Sequence, residues 1–349
     1  MQPHRIGILK PSSLGDIIQC LAILPVIKRH YPSSHIDWII DEGLSSLLAH
    51  NPHASAVPII SKGLKKRKRD LFKTIATLRQ LPKYDILLDL HGSIKSSIFS
   101  LFIKKDIYIG FSRHSIKEKI AACAYDKSYE IDFYENIYIR NLSLSLQALE
   151  INENPKDILD SQEPFLFYDP TIVSTEIRSL IHPNEPNILL IIGASTRVKI
   201  YPTNKLAQVC EQIQVHFIVV WGSESERVEA EALAHKCSRV SVAPKVDFND
   251  LSYLCDCAAL CIGNDTGPSH FAFALGKPSL LLFGNTPNER IVYPTATNKS
   301  LKSPSKVDAL KIDKNDFSIQ DIEVSEIVSL AKSLLWVSLR PRYLVVQMM

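Results

Sequence analysis

Short apolar runs alternate with helix-length segments along this chain, and the alternation restarts once near its middle. Runs at 6–9, 36–40, 57–60, 86–90 and 107–110 have strand length, and the segments 16–30 and 93–103 between them have helical length and spacing. The second block repeats the pattern with runs at 188–192, 216–220, 240–243, 259–262 and 279–283, and with helical segments at 204–214, 225–235 and 269–275. Such alternation leaves few folds open. Each strand must be joined to the next by a helix crossing one face, which gives mainly parallel, doubly wound sheets of the α/β class. Two blocks predict two such domains, and 349 residues exceed the size at which one core usually stops growing. The connection falls in 152–186, which holds five Pro and few strand signals. We place the domains at 1–165 and 166–323, followed by a helix and tail at 324–349 whose amphipathic part, 325–335, can pack back on the first domain. The tail from 336 onward carries no functional reading.

Composition excludes several classes. No run approaches the roughly 18–20 apolar residues needed to span a bilayer, and the opening MQPHRIGILKPSS lacks the features of a signal peptide. A cytoplasmic protein is expected. Seven scattered Cys argue against a disulfide framework. Cys255, Cys257 and Cys261 run from a helical pattern into a strand, so they are expected to point in different directions and to serve packing; no metal site is expected. The net charge of +3 hides an asymmetry, because residues 1–130 hold 20 Lys/Arg against 11 Asp/Glu. The densest part is Lys65-Lys66-Arg67-Lys68-Arg69. It reads either as a solvated basic loop or as a contact for an anionic partner such as a phosphorylated lipid surface, an acidic sugar or a nucleic acid. The nucleic-acid reading lacks aromatic residues interleaved with the run, and none is expected as a partner.

Two strand-to-helix junctions carry candidate chemistry. At the first, the run 6–9 leads through Lys10-Pro11-Ser12-Ser13-Leu14-Gly15-Asp16 into a helix. This is neither a GxGxxG nor a Walker sequence, so neither a dinucleotide cofactor nor a P-loop is implied. Asp16 stands where an aspartate often merely caps a helix; the functional alternative is a general base facing a ligand. At the second, 258–262 leads through Gly263-Asn264-Asp265-Thr266-Gly267-Pro268-Ser269-His270 into another helix. Pro268 suits a first helical turn and Gly267 allows close backbone approach. Amides of 266–270 are expected to cradle a pyrophosphate, with Asp265 accepting from sugar hydroxyls.

These two segments, with Asp37-Trp38-Ile39-Ile40-Asp41-Glu42-Gly43, Asp89-Leu90-His91-Gly92-Ser93-Ile94-Lys95-Ser96, Trp221-Gly222-Ser223-Glu224-Ser225-Glu226 and Gly276-Lys277-Pro278, resemble glycosyltransferase family 9, the ADP-heptose:lipopolysaccharide heptosyltransferases. The match runs in family order over about residues 5–290. The resemblance implies the GT-B fold, two Rossmann-like domains facing a central cleft, and an inverting transfer without metal or cofactor. It makes Asp16 the general base and Lys199 the cation that steadies the leaving diphosphate. It assigns Ser12, Ser13 and Gly15, together with Thr196, Glu226, Asp265, Thr266, Gly267 and His270, to the donor ADP-heptose, with Glu224 a rival to Glu226 for the ribose. It assigns Lys65, Lys66, Arg67, Lys68, Arg69 and Lys117 to the anionic acceptor, Kdo-lipid A, and to contact with the anionic cytoplasmic face of the inner membrane. The first loop and the 89–96 segment are most similar to members that add the first heptose to Kdo. A family member adding the second heptose, another acceptor, or a GT-B nucleotide-sugar epimerase are the alternatives.

Overall fold

The computed structural model describes residues 3–62 and 68–346 and divides into two compact units, Met1–Ser161 and Gln162–Met349. In the first, β1 (Arg5–Leu9), β2 (His35–Asp41), β3 (Ser55–Ile59), β4 (Tyr84–Asp89), β5 (Lys105–Phe111) and β6 (Lys127–Tyr129) form one sheet in the order β3-β2-β1-β4-β5-β6. In the second, β7 (Asn187–Ile191), β8 (His216–Val220), β9 (Val240–Val242), β10 (Leu260–Asn264), β11 (Ser279–Phe283) and β12 (Asn298–Lys302) form another in the order β12-β11-β10-β7-β8-β9. All pairings are parallel. Helices cover both faces of such sheets, which is why β7, β10 and β11 are buried at every position and read as unbroken apolar runs. Strand order reverses once in each sheet, between β1 and β4 and between β7 and β10. At such a reversal the loops leaving the strand ends diverge and open a crevice for a ligand.

The expected strands are all present, with ends shifted by a residue or two. β6 and β12 are additional. They are edge strands with the sequences KSY and NKSLK, and an edge needs no continuous apolar run. The segment expected as one helix at 16–30 is two, Leu14–Leu21 and Ile23–His30. Pro25 lies in the first turn of the second, where its missing N–H breaks the hydrogen-bond ladder. Lys68–Gln80 and Ile137–Ala148 are the longest of the helices not expected. The second of these contains LSLSL, which alternates as a strand would. It is helical because it packs beneath both helices of the 14–30 segment and buries Leu142, Leu144 and Leu146 together.

The unit boundary falls after Ser161 rather than after 165. Phe165 and Leu166 both donate their amides to Ala274 O, at 2.9 and 3.2 Å, which ties them to the second unit. The C-terminal helix runs Val324–Val346, and its Ile327, Ala331 and Leu334 join the second unit's core with Leu206, Val209 and Ile262. Cys255 and Cys261 meet rather than point apart: the Cys261 thiol lies 4.0 Å from the Cys255 carbonyl, both buried, while Cys257 is half-buried. Burial pushes the Cys255 thiol well above its ordinary pKa. No helix among the described residues is long and apolar enough to cross a membrane.

Candidate active site

The turn after β1 is built by residues far from it in sequence. Trp38, fully buried in β2, donates its indole N–H to Lys10 O at 3.1 Å, and Asp41 N donates to Pro11 O at 3.0 Å. The 37–43 motif therefore acts as a clamp on the 10–16 loop. Lys10 is buried and donates to Leu90 O at 3.0 Å, joining the ends of β1 and β4 across the strand-order reversal. Asp16 accepts from Ser13 N at 3.0 Å and Ser13 Oγ at 2.6 Å, both on Oδ2. Its Oδ1 accepts no hydrogen bond among the described residues. Capping therefore uses one oxygen of the carboxylate and leaves the other unbonded. Burial raises the Asp16 pKa, but the Lys10 ammonium, the Ser13 bonds and His91 outweigh it and hold the carboxyl below its usual range.

The turn after β4 is fixed by Asp89, fully buried at the strand end. It accepts from His91 N at 2.7 Å, Gly92 N at 3.0 Å, Ser96 Oγ at 2.7 Å, Tyr108 OH at 2.8 Å and Tyr125 OH at 3.0 Å. Gly92 has φ +64°, a conformation that only glycine adopts without strain. This network holds His91 within the electrostatic reach of both Lys10 and Asp16. Burial, then Lys10, drive the His91 pKa down to about 4 against the opposing pull of Asp89, so the ring is neutral at neutral pH. Its Nδ1 is buried and has no hydrogen-bond partner among the described residues. No role for His91 was readable in the sequence, because only the fold sets it beside the 10–16 loop.

In the second unit a cavity of about 360 Å³ opens at the reversal between β7 and β10. Its walls come from Gly193 and Ser195 after β7, Trp221 and Glu226 after β8, Phe248 and Leu251, and Thr266 and Pro268 after β10. Glu226 caps the helix Glu224–Lys236, with Oε2 accepting from Gly222 N at 2.7 Å and Ser223 N at 3.3 Å; Oε1 accepts nothing among the described residues. A Cβ on Gly193 would collide with this carboxylate, so glycine there is what admits it. Glu224 is instead exposed and paired with Arg227. Close by in the chain, Lys199 Nζ meets Asp265 Oδ2 at 2.5 Å, and Thr286 Oγ1 donates to the same oxygen at 2.7 Å. Asn264 locks the floor of this loop through Tyr201 N at 3.1 Å and Ile192 O at 2.7 Å.

Of the expected residues, the structure sets Ser12, Ser13 and Gly15 around Asp16 in the first unit. It sets Glu226 and Thr266 on the cavity wall of the second. Thr196 precedes the short turn Arg197–Lys199 without a side-chain capping bond, and Gly267 opens the turn Gly267–His270. His270 is buried and off the cavity wall. The amide cradle is narrower than expected: Pro268 has no N–H, and Ser269 N donates to Thr266 O at 3.1 Å. Among the acceptor residues, Lys65, Lys66 and Arg67 lie outside the described residues, Lys68 begins a helix, Arg69 is exposed, and Lys117 is exposed with its ammonium 5.7 Å from the Phe133 ring centre. Sequence reading missed Trp221, Phe248 and Leu251, whose apolar character looks like core until the cavity is seen.

Residues 71–314 match the model of glycosyltransferase family 9 (heptosyltransferase). Lipopolysaccharide heptosyltransferase 1 of Campylobacter coli is 32% identical over 346 residues, covering 95% of this chain and 98% of that protein. The protein of the same name from Pseudomonas aeruginosa is 27% identical over 295 residues, covering 81% and 79%. Among solved structures, E. coli heptosyltransferase WaaC with ADP aligns with a TM-score of 0.74 at 19% identity, over 95% of this chain and 99% of that one. A family 9 glycosyl transferase from Veillonella parvula aligns at 0.77 and 20% identity, over 95% and 97%. The structural likeness carries the fold, two Rossmann-like units of the GT-B type. With the family match spanning most of the chain, this protein belongs to glycosyltransferase family 9, the heptosyltransferases.

Proposed function

We propose that the protein transfers heptose from ADP-L-glycero-D-manno-heptose to the Kdo of Kdo-lipid A, the first heptose of the lipopolysaccharide inner core, with inversion and without a metal. The observation that carries the reading is the second-unit cavity. Its apolar walls suit an adenine, and the unbonded oxygen of Glu226 suits a ribose hydroxyl. The relatives' names, lipopolysaccharide heptosyltransferase 1, support the sugar and the acceptor class.

In this reading Asp16 Oδ1 takes the proton of the acceptor hydroxyl as its oxygen attacks the anomeric carbon. The bond from that carbon to the β-phosphate oxygen breaks on the opposite face, and ADP leaves with the electron pair. Asp265, itself held by Thr286, holds Lys199 in place. The remaining ammonium N–H groups of Lys199 face the growing charge on the diphosphate, which a preorganised cation stabilises without reorganisation. A carboxylate with lowered pKa is a weak base, and its role is to be ionised and correctly aimed rather than strongly basic. The basic run Lys65 to Arg69 with Lys117 meets the anionic groups of the acceptor at the cytoplasmic face of the inner membrane.

The test is an acceptor comparison. Purified protein with ADP-heptose should release ADP with Kdo-lipid A in the presence of a chelator, and not with heptosyl-Kdo-lipid A. Turnover only on the heptosylated acceptor would make it a second-heptose transferase. Turnover on neither, by folded protein that binds ADP, would overturn the acceptor class.

A further inference from the structure

The helix Ile94–Ser100 turns an aliphatic stripe to solvent. It buries Ser96, Ser97, Phe99 and Ser100, while Ile94, Ile98 and the following Leu101 are 42%, 48% and 72% exposed. Spacings of four and three place these aliphatics in one stripe. The buried hydroxyls are accounted for: Ser96 Oγ donates to Asp89, Ser97 Oγ to Ala121 O at 3.1 Å, and Ser100 Oγ to Ser97 O at 2.7 Å. Three hydroxyls and Phe99 are thus committed to the fold, and an aliphatic stripe is left facing solvent, where a surface helix ordinarily carries polar residues.

Its neighbours in the fold expose apolar residues as well. The Ser97–Ala121 bond docks the short helix Lys119–Ala124 alongside, and Ile120 there is 74% exposed. On the other flank the helix Lys68–Gln80 shares a core with it through Leu78, Phe99 and Ile103, and presents Phe72. Exposed Arg69, Lys73, Lys117 and Lys119 lie on these same flanking segments. Residues 62–127 hold 16 Lys/Arg against 6 Asp/Glu, and Asp89 among the six is fully buried.

We propose that this face of the first unit, centred on Ile94, Ile98, Leu101 and Ile120, is the surface by which the protein sits on an anionic lipid bilayer. Aliphatic side chains enter the interfacial layer while Lys and Arg lie among the headgroups, the pairing that gives interfacial helices their affinity. The charge argues against a second copy, which would bring two strongly basic segments together. Aliphatic residues offer no stacking surface to a nucleic acid. The proposal rests on the reading that the acceptor is a membrane lipid, and it names the surface that reaches it.

The experiment is co-sedimentation of the full chain with vesicles of phosphatidylcholine alone or with phosphatidylglycerol. The triple variant Ile98→Ser, Leu101→Ser, Ile120→Ser is compared with a control, Ile172→Ser and Val228→Ser, at exposed positions of the second unit. The wild type should bind anionic vesicles, the triple variant at least about ten-fold less, and the control as wild type. Turnover on vesicle-held acceptor should fall in parallel, while turnover on a deacylated, water-soluble acceptor stays unchanged. Equal vesicle binding by wild type and triple variant overturns the proposal, as does a wild-type dimer that the substitutions dissociate. If the wild type turns over neither acceptor, the function reading fails while the sedimentation result still decides this one.

Discussion

Asp16 commits one carboxylate oxygen to structure and leaves the other for the chemistry proposed above. With Oδ2 bonded to Ser13 and Oδ1 unbonded, replacing it by Asn should keep much of the cap and lose the base. We expect turnover to fall about 10²- to 10⁴-fold with ADP affinity little changed, read by ADP release and by titration of ADP. Loss of ADP binding in step with rate would make Asp16 a donor-site residue. Because its pKa lies below the carboxylate norm, the acid limb of kcat/KM should also lie below the usual carboxylate range. His91 gives a second pH signature. It titrates near 6.5 when unfolded and near 4 in the fold, despite the opposing charges of Asp89 and Asp16. Between those values the unfolded chain binds the proton that the folded chain refuses, so stability drops as pH falls from 6.5 toward 4. His91→Gln should flatten that drop, seen as a smaller loss of Tm between about pH 7 and about pH 5. The cap made by Asp16 was legible, because a carboxylate after a strand and at the start of a helix is well placed to accept from the amides there. His91 was not, since its meaning depends on Lys10, eighty-one positions away in the chain, reaching the end of β4.

At the scale of elements, the same device occurs after β1 and after β8: a serine followed three residues later by an acid, which caps a helix with one oxygen and leaves the other unbonded. In the second case the device needs Gly193 opposite. Gly193→Ala should push Glu226 away from the cavity and weaken ADP binding by about ten-fold, measured calorimetrically. Unchanged affinity would show that Glu226 does not touch the nucleotide. Strands were the most readable elements, because burial on both faces leaves runs such as SLLLF that admit little else. The edge strands β6 and β12 and the LSLSL helix were not, because solvent at these edges and burial on two sides of a helix each erase the expected period. The motif 37–43 was visible as a pattern, but its action as a clamp on another loop is a tertiary fact.

For the whole molecule, the decisive property is that each sheet takes all its strands from one uninterrupted half of the chain. Residues 162–349 expressed alone should therefore unfold cooperatively and bind ADP within about ten-fold of the full chain. A fragment that fails to fold would show that the second core depends on the first. The two-block alternation made this division readable from the outset, and the four-residue error at the boundary arose because Phe165 and Leu166 are claimed by backbone bonds no local pattern reveals. The joint after Ser161 is also a seam for heredity. A recombination event near it would hand on a complete half, with its own core and its own crevice intact. A lineage could then change the surface it decorates while keeping the activated sugar it already makes.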